Sequence, residues 1–133
     1  MSQENVETVR RLYRAFNSFG LQAVVEFAHP DMEAVPPPDW PEASTVRGVE
    51  LIQAMARQWV ETFASFEVEP ERFLDAGPDR VVAYVRDRGL IKGSDAEIDT
   101  RFVHLWTLKE GKIVRWEVFA DEGQALEAAG LSA

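Results

Sequence analysis

Between Glu4 and Phe19 the apolar residues Val6, Val9, Leu12, Tyr13 and Phe16 recur at steps of three and four, the period of a helix that buries one face. Gly20 is a natural stop. Leu21, Val24, Val25 and Ala28 predict a second short helix, closed at His29 because a residue before proline is pushed out of the helical region. The two should form a hairpin. Asp31 to Val35 reads as a short strand, and residues 36 to 47, opening on Pro36, Pro37 and Pro38, read as an irregular loop because proline supports neither helix nor ladder hydrogen bonding. Gly48 opens the longest helical pattern, with Ile52, Met55, Ala56, Trp59, Val60 and Phe63 on one half-buried stripe.

After Ser65 the period changes from helical to alternating. Strands are expected over roughly Phe66 to Asp75, Arg80 to Ile91, Ala96 to Lys109 and Lys112 to Ala120, separated by turn sequences such as Gly77-Pro78-Asp79, Gly93-Ser94-Asp95 and Glu110-Gly111. Connections this short force antiparallel pairing. Asp121 to Ala129 predicts a closing helical turn or two, with Asp121 and Gln124 spaced as a capping box and Gly130 as the stop. The plan is α+β, with helices gathered on one face of a curved sheet.

The strand faces carry a further expectation. Ile98, Thr100, Phe102, His104, Trp106 and Leu108 share one face of their strand, and Val103 and Leu105 lie on the other; Val114, Trp116, Val118 and Ala120 oppose Ile113, Arg115, Glu117 and Phe119 in the next. Both faces are apolar at their centres. Helices can cover one, so a second copy of the chain, giving a homodimer through the outer sheet face, is expected on the other.

Composition then narrows the function classes. The 133 residues, 46% hydrophobic, suit a single domain over 1–133. With 14 Lys and Arg against 23 Asp and Glu the net charge is -9, which repels a phosphate backbone and argues against nucleic acid as a partner. There are no cysteines, so disulfides, thiolate metal sites and a cysteine nucleophile are excluded. The longest stretch without charge, Ala15 to Val25, is too short for the roughly 20 apolar residues of a membrane span. The start has neither a basic nor an apolar leader segment, and a cytoplasmic location is the expectation.

Asn5 to Tyr13, Ala28-His29-Pro30-Asp31-Met32-Glu33, Val46-Arg47-Gly48-Val49-Glu50 and above all Arg101-Phe102-Val103-His104-Leu105-Trp106-Thr107-Leu108 followed by Glu110-Gly111-Lys112-Ile113-Val114-Arg115-Trp116 carry a resemblance. By them the chain resembles, over essentially its whole length, the nuclear transport factor two-like superfamily and its SnoaL-like and ketosteroid-isomerase-like branch. The resemblance implies a cone-shaped half-barrel, a curved antiparallel sheet wrapped around three N-terminal helices with a deep apolar pocket. It also implies a range of functions, since this fold hosts isomerases, cyclases, hydrolases and non-catalytic modules. Tyr13 and His104 match the oxyanion donors of the ketosteroid isomerases, while Val35 stands where their general base would be. Asp87 matches one aspartate of the epoxide-hydrolase-like members, but Val85 and Val118 replace the arginine and second aspartate.

The residues themselves offer candidate chemistry. His104 shares a face with Phe102 and Trp106, so it points into the apolar pocket, where burial keeps an imidazole neutral. It is then a general base or hydrogen-bond donor, or else a core histidine satisfied by Tyr13 or a backbone carbonyl. Asp87 shares its parity with Val81, Ala83 and Val85 and aims inward; it either orients His104 or pairs with Arg86, Arg88 or Arg101. Glu33 has a parity that could place it at the pocket mouth, or is an exposed carboxylate on an edge strand. His29 is explained by the dipole at the end of the second helix.

Core packing is the first explanation of Trp59, Trp106 and Trp116; with Phe102, Val35 and Val118 they would otherwise line the pocket, and Trp40 would form a lid, a rim or a dimer contact. The two histidines lack metal-ligand spacing, and no cofactor is implied. The expected partner is a small hydrophobic molecule, met by cofactor-independent acid/base chemistry or by simple binding.

Overall fold

In a computed structural model, residues 2–40 and 44–131 are described. The chain runs α1 (Ser2–Phe19), a 3-10 helix (Leu21–Phe27), β1 (Ala28–Val35), β2 (Val46–Arg47), α2 (Val49–Glu61), β3 (Phe63–Asp75), β4 (Arg80–Ile91), β5 (Glu97–Lys109), β6 (Lys112–Phe119) and α3 (Glu122–Ala128). One curved, unclosed sheet in the order β2-β1-β6-β5-β4-β3 holds all six strands. Strands β3 to β6 form the expected antiparallel meander, and β1 joins its far side parallel to β6.

The hairpin turn at Glu110 and Gly111 has positive φ at both residues, 52° and 79°, the mirror-image turn whose twist matches a hairpin. At the open edge of the sheet Asn17 of α1 donates to the Val68 carbonyl at 2.7 Å and accepts from the Val68 amide at 3.0 Å. That pair satisfies backbone groups an edge strand would expose and fixes α1 across the sheet.

The concave face packs on α1 through Val9, Leu12 and Tyr13 against Val81, Ala83, Val85 and Trp106, all buried. α2 contributes little to this core. Only Ile52 is buried along it, whereas Leu51, Met55 and Trp59 are exposed, so the half-buried stripe expected there is a helix leaning over an opening.

Four local expectations need correction. The second helix is a 3-10 helix, and the strand after it begins at Ala28, three residues early, because Pro30 keeps His29 extended and Ala28 pairs with Ile113. His29 therefore has no helix dipole to serve; its Nδ1 accepts from the Asp31 amide at 3.1 Å. Val46 and Arg47, assigned to the loop, form β2 against Ala34 and Glu33; Pro41 of that loop lies outside the described residues. Ile113, expected on the outer face, is fully buried in the concave core, because a register shift between Thr107 and Leu108 pairs it with Leu108.

The outer face has its own cover. Val82, Val103, Leu105 and Phe119 pack with Ala125 and Ala129 of the C-terminal segment, and all six are buried within one chain. Arg80 holds that segment down by donating to the Ala128 and Ala129 carbonyls, each at 3.1 Å, and Asp121 caps α3 by accepting from the Gln124 amide at 3.1 Å. The apolar centre from which a second copy is expected is thus buried by α3.

Candidate active site

Between the helices and the concave face lies a cavity of about 720 Å³, inside the range typical of small-molecule sites. Trp59, Phe66, Phe102, Trp106 and Trp116 give it an aromatic wall, and Val35 and Val118 also line it. Trp40 and Trp59, 47% and 45% exposed, mark the mouth. Trp40 sits edge-on to Phe102 at 6.1 Å, and Trp59 edge-on to Phe66 at 6.2 Å. Trp59 is therefore a rim residue instead of the interior one its stripe suggested.

Among the described lining residues Tyr13, Asp87 and His104 are the titratable ones, and no lysine or arginine is among them. Glu33 is not one of the lining residues: it pairs with Arg47 at 3.1 Å and Arg115 at 4.0 Å, while its neighbours Met32 and Ala34 turn inward. The described residues contain no cluster of histidines and carboxylates able to hold a metal ion.

At the deep end three side chains form a relay. The Trp106 indole Nε1–H donates to the Tyr13 oxygen at 2.8 Å, and that oxygen lies 2.6 Å from His104 Nδ1. The tryptophan can only donate, which leaves the Tyr13 O–H free to turn to His104 Nδ1. In that arrangement the imidazole proton sits on Nε2. Burial pushes the His104 pKa down to about 3 and raises Tyr13 well above its ordinary value, so both are neutral at physiological pH. His104 is a fixed N–H donor, poorly suited to the general-base role considered from sequence. Trp116 stacks on Trp106 at 5.5 Å and meets His104 edge-on at 5.4 Å, and its buried Nε1 has no partner.

Asp87 occupies a different part of the cavity. It is 8% exposed, one carboxylate oxygen is buried without a hydrogen bond, and burial raises its pKa to about 7. The arginines offered as partners all point away: Arg86 binds Asp99, Arg88 binds Glu67 and Glu69, and Arg101 binds Glu71. Nor does Asp87 orient His104, whose Nδ1 is taken by Tyr13. The cross-strand partner of His104 is Ala83, four residues before Asp87 on β4, which puts the two backbone positions roughly 13 Å apart along the strand.

Phe66 was missed in the sequence, although it shares the inward parity of Val68 and lines the cavity. It packs at 5.0 Å on Phe63 over Gly89, where a Cβ would come within 2.9 Å of both Phe63 and the Ser65 carbonyl.

Comparison with known proteins places the chain by its fold and sequence. A family model described as the SnoaL-like domain matches residues 9–116. No curated protein matches. Among solved structures, an NTF2-like protein of unknown function from Burkholderia pseudomallei K96243 aligns with a TM-score of 0.75 at 24% identity over 93% of this chain and 95% of that one. A protein provisionally described as a SnoaL-like polyketide cyclase from Jannaschia sp. CCS1 aligns with a TM-score of 0.72 at 25% identity, covering 98% and 94%. An NTF2-like protein from Burkholderia thailandensis E264 gives 0.74 at 25%, covering 97% and 98%.

Proposed function

The chain belongs to the SnoaL-like domain family, and from that premise we propose that it binds a flat, apolar small molecule by both ends and exchanges a proton with it through Asp87. The observation that carries this reading is a carboxyl group without hydrogen bond or ion pair among the described residues, facing an aromatic cavity that holds no cation among its described lining residues. An unpaired buried charge costs a protein stability, so a group retained in that state is a candidate for contact with a ligand. A pKa of about 7 suits proton transfer in either direction near neutral pH.

The two polar ends divide the work. His104, held by Tyr13, presents Nε2–H as a donor to a ligand oxygen, and its neutrality lets it polarise a carbonyl without releasing a proton. Asp87 gives or takes the proton at the other end. The two positions lie four residues apart on the strand ladder, and a ligand that meets both spans the space between them. Trp40 and Trp59 flank the entrance. The spacing along the ladder also favours a second reading, a non-catalytic ligand-binding module in which Asp87 and His104 each hold one end of the ligand.

The test is a titration with 2-acetonaphthone, a flat two-ring ketone, followed by tryptophan fluorescence and by the ¹⁵N resonances of His104. Saturable quenching with a shift confined to Nε2 is expected. Absence of saturable binding by this ketone and by three- and four-ring ketones would sink the reading. Once a turned-over substrate is in hand, Asp87→Asn separates the two forms: turnover lost with binding kept supports proton exchange, and a ligand that is bound and never converted supports the binding module.

A further inference from the structure

The part of the cavity around Asp87 differs in chemistry from the part around His104. On the inward face of β4, Asp87 lies between Val85 and Gly89, whose cross-strand partners are Phe102 on β5 and Phe66 on β3. Those diagonal positions are within reach of aromatic side chains, and Phe66, Asp87 and Phe102 line the same cavity. Behind them stand Trp40, edge-on to Phe102, and Trp59, edge-on to Phe66. The register thus groups Asp87 with four aromatic residues of the cavity wall, an aromatic box.

We propose that this box receives the basic nitrogen of an apolar amine, held as an ammonium ion against Asp87 and between the rings of Phe66 and Phe102. The proposal rests on the reading of the cavity as a ligand site and names the class of ligand. A ligand that enters as an ammonium ion meets the carboxylate directly. One that enters as a free amine takes the proton of the neutral carboxylic acid; the O–H bond breaks, an N–H bond forms, and the same ion pair results.

Three observations favour nitrogen over a neutral hydroxyl or carbon acid. Asp87 has no cation among the described residues, since Arg86, Arg88 and Arg101 are committed to carboxylates on the other side of the sheet. A neutral donor would satisfy an oxygen and leave its charge uncompensated. The faces of aromatic rings attract cations, most strongly where water is excluded. The chain's net charge of -9 also raises the local concentration of cationic over anionic ligands.

N,N-dimethylbenzylamine and isobutylbenzene test this, because they differ only in a nitrogen for a CH. By calorimetry at pH 8, the wild-type protein should bind the amine at least ~10-fold more tightly than the hydrocarbon. Asp87→Asn should erase that preference, and Phe102→Leu should weaken the amine several-fold more than the hydrocarbon. The wild type supplies a second measurement that depends on no variant. The amine should bind on the order of 100-fold less tightly at pH 5, where Asp87, with a pKa of about 7, must first lose its proton. The other described titratable groups facing the cavity, Tyr13 from α1 and His104 from β5, stay neutral over that range.

Hydrocarbon binding without amine preference, a preference that survives Asp87→Asn, or an amine affinity independent of pH would each overturn the inference and leave the ligand site standing. Binding of neither probe, with 2-acetonaphthone also unbound, overturns the ligand site and the inference together.

Discussion

Arg86, Asp87 and Arg88 are consecutive on one strand, yet they belong to two different electrostatic worlds. On the outer face the neighbouring charges are paired: Arg86 reaches Asp99 at 2.6 Å, Arg88 reaches Glu67 and Glu69 at 2.8 Å each, and Arg101 reaches Glu71 at 2.9 Å. On the inner face Asp87 has no such partner among the described residues. The two-residue period of a strand puts a carboxylate beside two arginines in sequence and out of reach of both in space. Asp99 is consequently held below the ordinary carboxylate range by Arg86, whereas burial lifts Asp87 to about 7. Water and partners stabilise the outer charges, and the inner one is left for whatever enters the cavity.

The largest effect expected from this contrast is in the pH dependence of stability. Asp87 binds its proton more tightly folded than unfolded, so its contribution falls as pH rises from the ordinary value near 3.8 through about 7. His104 resists protonation when folded, so its contribution falls as pH drops from 6.5 towards about 3. Between roughly pH 4 and 6.5 the two slopes oppose each other and nearly cancel. Asp87→Asn removes one of them. Relative to wild type, the variant should gain about 4 kcal/mol in urea denaturation between pH 4 and pH 8, about three pKa units at 1.36 kcal/mol each. A constant difference across that range would mean that Asp87 is not the isolated charge the inner face makes it.

Next in size is the deep relay. Tyr13→Phe removes the acceptor of the Trp106 N–H and the donor to His104 Nδ1, leaving two buried polar groups unpaired. A loss of about 3 kcal/mol is expected. The ¹⁵N shifts of His104 should also show the proton no longer confined to Nε2. A stable variant with an unchanged tautomer would show that something other than Tyr13 orients the imidazole. Smaller again is Gly89→Ala, whose new Cβ would meet the Ser65 carbonyl and the Phe63 ring, both at 2.9 Å. The backbone contact cannot swing aside, so about 2 kcal/mol of overpacking is expected, with Phe66 displaced at the cavity mouth.

How far the site could be read from sequence depends on which period carried the information. Alternation along β4 and β5 placed Asp87, Phe102, His104 and Trp106 on one face, and all four line the cavity. Turn residues located the meander. Parity could not give register, and register separates Asp87 from His104 and gives the imidazole to Tyr13 on a helix 91 positions away. Parity also failed where the ladder is irregular: the shift after Thr107 turns Ile113 inward. The helical period misjudged α2 for a different reason. An apolar stripe records what a side chain avoids, and Met55 and Trp59 face the mouth of a cavity in place of a filled core. The closing helix was found, but nothing in its seven residues told which face of the sheet Ala125 would cover.

The smallest effect is the one that most sharply tests the contrast between faces. Asp99→Asn removes the carboxylate bound by both Nε and Nη2 of Arg86, the geometry in which a surface pair is strongest. Its pKa is lowered, chiefly by the hydrogen bond from Arg86, so whatever it contributes is present above the ordinary carboxylate range and lost as pH falls through the folded value. Both side chains remain in contact with water, at 28% and 46% exposure, and salt screens them. The variant should therefore be close to wild type in stability at 0.15 M salt and distinguishable from it only at low ionic strength. The two aspartates differ by twelve positions and by one side of a sheet. If Asp99→Asn shifted the pH dependence as much as Asp87→Asn, burial would not be what separates them, and the orphaned charge on the inner face would lose its claim to a ligand.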